Sequence, residues 1–102
     1  MFARISQLLQ AGEAATEIDG WSGIEEMPSR GFNRLVRAQR YGRWWVLKGL
    51  KAEYADEPFY RQLLRKEFEV LIGMQHPGIV SATGFETVEG IGPCIVMEWV
   101  DG

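Results

Sequence analysis

At 102 residues the chain has the size of one small domain, and with 46% hydrophobic and 25% charged residues it has ordinary globular proportions, which excludes disordered, collagenous and coiled-coil classes. The net charge of -3 argues against a nucleic-acid partner, since such binders are usually basic overall. No apolar run approaches the roughly 20 residues needed to span a bilayer, and residues 1–10 lack a secretory signal pattern, so no membrane partner and a cytoplasmic location are expected. The single Cys94 cannot form an internal disulfide, fits a reducing compartment and reads as strand core.

The charges are segregated. Residues 28–52 hold seven bases and no acid (Arg30, Arg34, Arg37, Arg40, Arg43, Lys48 and Lys51), whereas residues 1–27 hold one base and five acids and residues 53–102 three bases and nine acids. A basic segment inside an acidic chain points to phosphate, to the chain's own acids or to a solvated strand face.

In chain order, apolar residues at 2, 5, 8 and 9 predict a short amphipathic helix ended by Gly12, and residues 11–20 read as a linker or capping segment. Strand patterns follow over 22–27, 34–40 and 44–51, with a turn at 28–33 and a tight turn at Tyr41-Gly42. Asp56 is a candidate N-cap for a helix from 57 to 74, stopped by Gln75-His76-Pro77-Gly78. Apolar runs over 79–85 and 91–100, separated by polar residues 86–90, predict two more strands. The expected fold is α+β: a five-stranded, mostly antiparallel sheet with one long helix, preceded by a short N-terminal helix.

Two charged residues interrupt apolar patterns. At about 100° per residue, Phe59, Tyr60, Leu63, Leu64, Phe68, Val70, Leu71 and Met74 form one arc of the helix, and Glu67 falls within it. Lys48 lies in Trp44-Trp45-Val46-Leu47-Lys48-Gly49-Leu50, a strand apolar on both faces and therefore covered on both. A charge facing a core needs a partner, so Lys48 is expected to pair with Glu67; the competing arrangement has the lysine snorkelling to the sheet edge and the glutamate at the helix rim. His76 has no partners at metal-ligand spacing, and no metal site is expected.

These residues resemble protein kinases. Val46-Leu47-Lys48 is similar to the third-strand lysine motif, and Lys66-Glu67-Phe68-Glu69-Val70-Leu71 followed by His76-Pro77-Gly78-Ile79-Val80 to the helix C glutamate and its following turn. The run from Ile95 to Gly102 is similar to the fifth strand and hinge, with Met97 at the gatekeeper position. The resemblance covers residues 27–102 and implies the amino-terminal small lobe of a eukaryotic-type serine/threonine kinase, ending at the hinge. Residues 1–26 then comprise the N-terminal helix, the linker and the start of the first strand.

The resemblance further implies that Lys48 holds the α and β phosphates of ATP while Glu67 orients it. Met27, Leu35 and Val46 would roof the adenine, Met97 would limit the pocket behind it, and backbone groups of Glu98 and Val100 would bond its edge. The sequence departs from the family at 28–33, where Pro28, Arg30 and Asn33 replace the three glycines of the phosphate loop; Arg30 or Arg34 could substitute by direct charge, or the turn is simply solvated. The family's catalytic-loop and D-F-G residues, with the protein-substrate and magnesium sites, fall past Gly102, so these residues alone are expected to be without phosphotransferase activity. The alternatives are a pseudokinase lobe acting as a regulatory module and a non-enzymatic binding domain using the basic hairpin 34–51. An apolar cleft face formed by Leu35, Val46, Met97, Trp99 and Val100, with Tyr60 and Leu64 at its border, would favour self-association, or cover by residues 2–9.

Overall fold

A computed structural model describes residues 20–73 and 81–99. They form strands β1 (Ser22–Met27), β2 (Asn33–Arg40) and β3 (Arg43–Leu50), a single 3-10 turn (Ala52–Tyr54), helix α1 (Pro58–Ile72), and strands β4 (Ala82–Val88) and β5 (Gly92–Glu98). All neighbouring strands are antiparallel, in the order β1-β2-β3-β5-β4. The expected α+β architecture is present; the short helix proposed for residues 2–9 and the stop at residues 75–78 lie outside the described residues.

Side chains alternate between two unlike faces. One face carries Val36 and Ala38 of β2, Leu47 of β3, Cys94 and Val96 of β5 and Val88 of β4, buried together with Trp21 and Ile91. Among the described residues, no helix contributes to this cluster. Instead the sheet curls over it: Arg40 of β2 grips Glu86 of β4 through two hydrogen bonds of 3.1 and 2.8 Å, although β3 and β5 lie between those strands in the sheet. Arg34 likewise donates to the Gly90 carbonyl at 3.0 Å. Gly49 of β3 packs closely on β5: a Cβ there would stand 3.2 Å from the Pro93 carbonyl oxygen, a tight contact that a larger residue would relieve only by shifting the backbone.

Helix α1 covers the other face at one end. Leu64 is its one fully buried residue, packed with Leu50, Ala82 and Ile95, and Tyr60, Phe68 and Leu71 border the same cluster. The buried stripe is narrower than the helical periodicity predicts: Phe59, Leu63 and Val70 are exposed. Leu64, placed by the sequence at the border of an open cleft, is instead core.

Several boundaries differ from the sequence expectation. Glu57, not Asp56, occupies the N-cap position of α1, with no side-chain cap; Pro58 supplies a preset φ at the first helical position, where no amide donor is required. The helix ends at Ile72, two residues before the expected 74. Strand β4 continues through Glu86–Val88, which the sequence assigns to a turn, because Val88 is buried while Thr87 faces outward at the sheet edge. Strand β5 stops at Glu98, not Val100.

Candidate functional site

Strand register assembles the site. Met27, Leu35, Lys48 and Ile95 lie in one row across β1, β2, β3 and β5, and Val46 partners Met97 in the next row on the same face. Met27, Leu35, Val46, Lys48 and Met97 therefore share one half-buried sheet face, the face that also meets α1. Glu98 is not on it: partnered with Trp45, it points its carboxylate toward Arg43 at 4.0 Å on the opposite side, and its amide donates to the Ser81 carbonyl at 3.1 Å. Val100 lies outside the described residues.

Lys48 and Glu67 meet. The lysine Nζ donates to Glu67 Oε2 at 2.5 Å. The phase follows from the helix: Tyr60, Leu64 and Leu71 dock on the sheet, and Glu67 lies on the same stripe, three residues after Leu64 and four before Leu71. Lys48, on the Leu50 side of β3, points at that stripe. With side chains 24% and 36% exposed, the pair is neither buried nor free in water, so its net contribution belongs nearer the ~1 kcal/mol of a screened pair than the ~3 kcal/mol or more lost on breaking a buried one.

The basic segment is largely matched by the chain's own acids. Arg34 pairs with Glu26, Arg37 with Glu25 at 3.0 Å, Arg40 with Glu86 at 2.8 Å and Arg43 with Glu98, besides Lys48 with Glu67. Five of the seven bases are so engaged, and Arg34, aimed at Glu26 and Gly90 on the face opposite Lys48, is not placed to reach a phosphate at Lys48. Hydrogen bonding to Glu86 raises the pKa of Arg40, whose guanidinium lies 3.7 Å from the centre of the Trp21 ring. Beside them, burial above all pushes the Cys94 thiol up to about 12, as an inert core residue requires.

Two groupings had no clear signal in the sequence. Arg37 is held between Trp44 and Trp99, with its Cζ 4.0 and 5.2 Å from the ring centres, so a residue of β2 touches the segment after β5. Phe32, the one aromatic side chain in the 28–33 turn, packs against Tyr54 and Tyr60; an aromatic inside a Ser-Arg-Gly-Phe-Asn turn was the available hint. Among the described residues, no group of three or more His, Cys, Asp or Glu side chains gathers as metal ligands would, and no helix is long and apolar enough to cross a membrane.

No protein-family model matches the chain. Over 89 residues it is 37% identical to the serine/threonine-protein kinase PknB of Mycolicibacterium smegmatis and to that of Mycobacterium tuberculosis, in each case covering 84% of this chain and 13% of the relative. It is 36% identical over 66 residues to a probable serine/threonine-protein kinase, SCO3848, of Streptomyces coelicolor, covering 62% of this chain and 10% of that protein. In fold it is similar to the kinase domain of Mycobacterium tuberculosis PknI, with a TM-score of 0.59 at 24% identity, covering 84% of this chain and 35% of that domain. The chain thus has the fold of a kinase small lobe and serine/threonine kinases as its sequence relatives, and it spans about an eighth of the length of the PknB proteins.

Proposed function

We propose that this chain is the ATP-binding half of a serine/threonine-type protein kinase, with Lys48 positioning the phosphates and Glu67 holding Lys48 in place. The observation that carries this is the 2.5 Å contact between two residues 19 positions apart, each of which interrupts an apolar pattern. A lysine fixed by one carboxylate keeps its direction, and it retains further N–H donors for phosphate oxygens. Phosphoryl transfer draws its rate from such positioning and charge stabilisation, so the pair would act before and during transfer without forming a bond to the nucleotide.

Met27, Leu35 and Val46 would then lie against the adenine face, with Met97 behind it, and the amino group of the base would donate to the Glu98 carbonyl, the Glu98 amide being committed to Ser81. Together with a second lobe carrying magnesium ligands and a base for the acceptor hydroxyl, this half would serve transfer from ATP to protein serine or threonine. Protection from amine labelling tests the proposal. Millimolar ATP should slow acetylation of Lys48 while leaving Lys66, exposed on α1, unchanged; equal rates with and without ATP would overturn it.

A further inference from the structure

We infer that Phe32 is a positioning residue for the Lys48–Glu67 pair: its ring ties the turn at 28–33 to the first turns of α1, so that turn and helix hold one arrangement. The inference rests on the proposed role of the pair in placing phosphates. It answers the departure noted above, that a phosphate loop built on three glycines has no counterpart here.

The turn is braced at both ends. The Ser29 hydroxyl donates to the Asn33 carbonyl at 2.8 Å, the Asn33 side-chain amide donates to the Gly49 carbonyl at 3.2 Å, and the Lys51 amide donates to the Phe32 carbonyl at 2.9 Å. Gly31, with φ of 68°, reverses the backbone just before Phe32, a conformation unfavourable for other residues. The Phe32 ring then meets Tyr60 of α1 at 4.9 Å and Tyr54 of the 3-10 turn at 6.3 Å, while Tyr54 and Tyr60 lie 4.7 Å apart. These separations and the tilted or edge-on planes are those of favourable aromatic pairs. Three rings thus join three segments: the turn, the connection after β3 and the helix.

The consequence for the site comes from where α1 is otherwise held. Leu64 alone is fully buried, and Tyr60 and Glu67 lie on either side of it along the same stripe. With Leu64 as pivot, a helix released at Tyr60 tips, and the carboxylate beyond the pivot moves relative to Lys48 on the sheet. Glycine loops close on phosphate by being free; this turn is fixed, and it fixes the helix with it.

Amine labelling of the whole chain, without nucleotide, reads the pair directly, because the chain has three lysines: Lys48 in the pair, Lys51 beside Phe32 and Lys66 exposed on α1. Phe32→Ala should raise the acetylation rate of Lys48 several-fold relative to Lys66, and Phe32→Tyr, which keeps the ring, should restore it. Tyr54→Leu, which removes the ring shared by Phe32 and Tyr60, should act as Phe32→Ala does and serves in its place if that variant does not fold. An unchanged Lys48-to-Lys66 ratio in folded Phe32→Ala or Tyr54→Leu overturns the inference, as does a parallel rise at all three lysines, which marks general loosening. Since no nucleotide is present, failure of ATP to protect Lys48 would remove the proposed function and leave this readout standing.

Discussion

Replacing Leu64 by alanine should separate the two halves of the core. Leu64 is 1% exposed and is the one fully buried side chain of α1, packed on Leu50, Ala82 and Ile95, whereas the other cluster around Trp21, Val36 and Leu47 contains no helix residue. Burial is worth about 0.8 kcal/mol per methylene, so the three carbons removed account for about 2.4 kcal/mol, and an incompletely relaxed cavity raises the total toward 3 to 4 kcal/mol. That is a large fraction of the ~5 to 15 kcal/mol that holds a small domain together, and it falls on the helix alone. Because all four tryptophans lie outside α1, at 21, 44, 45 and 99, tryptophan fluorescence reports the sheet while ellipticity at 222 nm is weighted to the helix. In urea, Leu64→Ala should lower the 222 nm midpoint more than the fluorescence midpoint, whereas the unmodified chain should show coincident curves. Coincident transitions in the variant, or a loss below about 1 kcal/mol, would refute the division of the core into two clusters.

The Cys94 thiol, raised to about 12 from an ordinary 9.0 chiefly by burial, should alkylate about a thousandfold more slowly at pH 8 in the native chain than in urea. Because its folded pKa is the higher one, its contribution to stability is complete below pH 9 and declines as the pH rises toward 12, so alkaline unfolding should begin later in Cys94→Ala once its lower neutral stability is allowed for. Glu86→Gln should cost about 2 kcal/mol in urea unfolding, because the Arg40 guanidinium, 18% exposed, keeps its charge over Trp21 without its carboxylate; a change under about 0.5 kcal/mol would mean that the curled sheet does not depend on this clasp. Tyr41→Asn should stabilise by about 1 kcal/mol, read as a higher melting temperature, since Tyr41 holds φ of 57° at 83% exposure beside Gly42, a hairpin turn that asparagine and glycine favour.

What could be read from the sequence followed local periodicity. Lys48 and Glu67 were visible as charges inside apolar patterns, the Tyr41-Gly42 turn as a Gly-containing break between two strand patterns, and β1 as a strand over 22–27. What escaped depends on how distant segments meet. Arg40 and Glu86 are 46 residues apart and come together only because the sheet curls, so the sequence left the chain's own acids as one of three possible partners of the basic segment and could not say which acid meets which base. Helical periodicity marked Phe59, Leu63 and Val70 as core because it reports which residues share an arc; the width of the sheet that the arc meets decides how many are covered. Polarity at Glu86 and Thr87 suggested a loop, yet Glu86 is matched by Arg40 across the curled face and Thr87 lies on the open side of an edge strand, where polar residues are tolerated. The tie between Phe32 and α1 had no periodic signature at all.

The account depends most on ATP meeting the sheet face that carries Lys48, and a titration followed by amide chemical shifts tests this directly. With ATP raised to about 10 mM, enough to register a millimolar dissociation constant, the shifts should concentrate at Leu35, Val46, Lys48, Met97 and Glu98, and Lys48→Met should abolish them while leaving the fold intact. Shifts confined to the opposite face around Arg34 and Arg43, or a titration that Lys48→Met leaves unchanged, would contradict it.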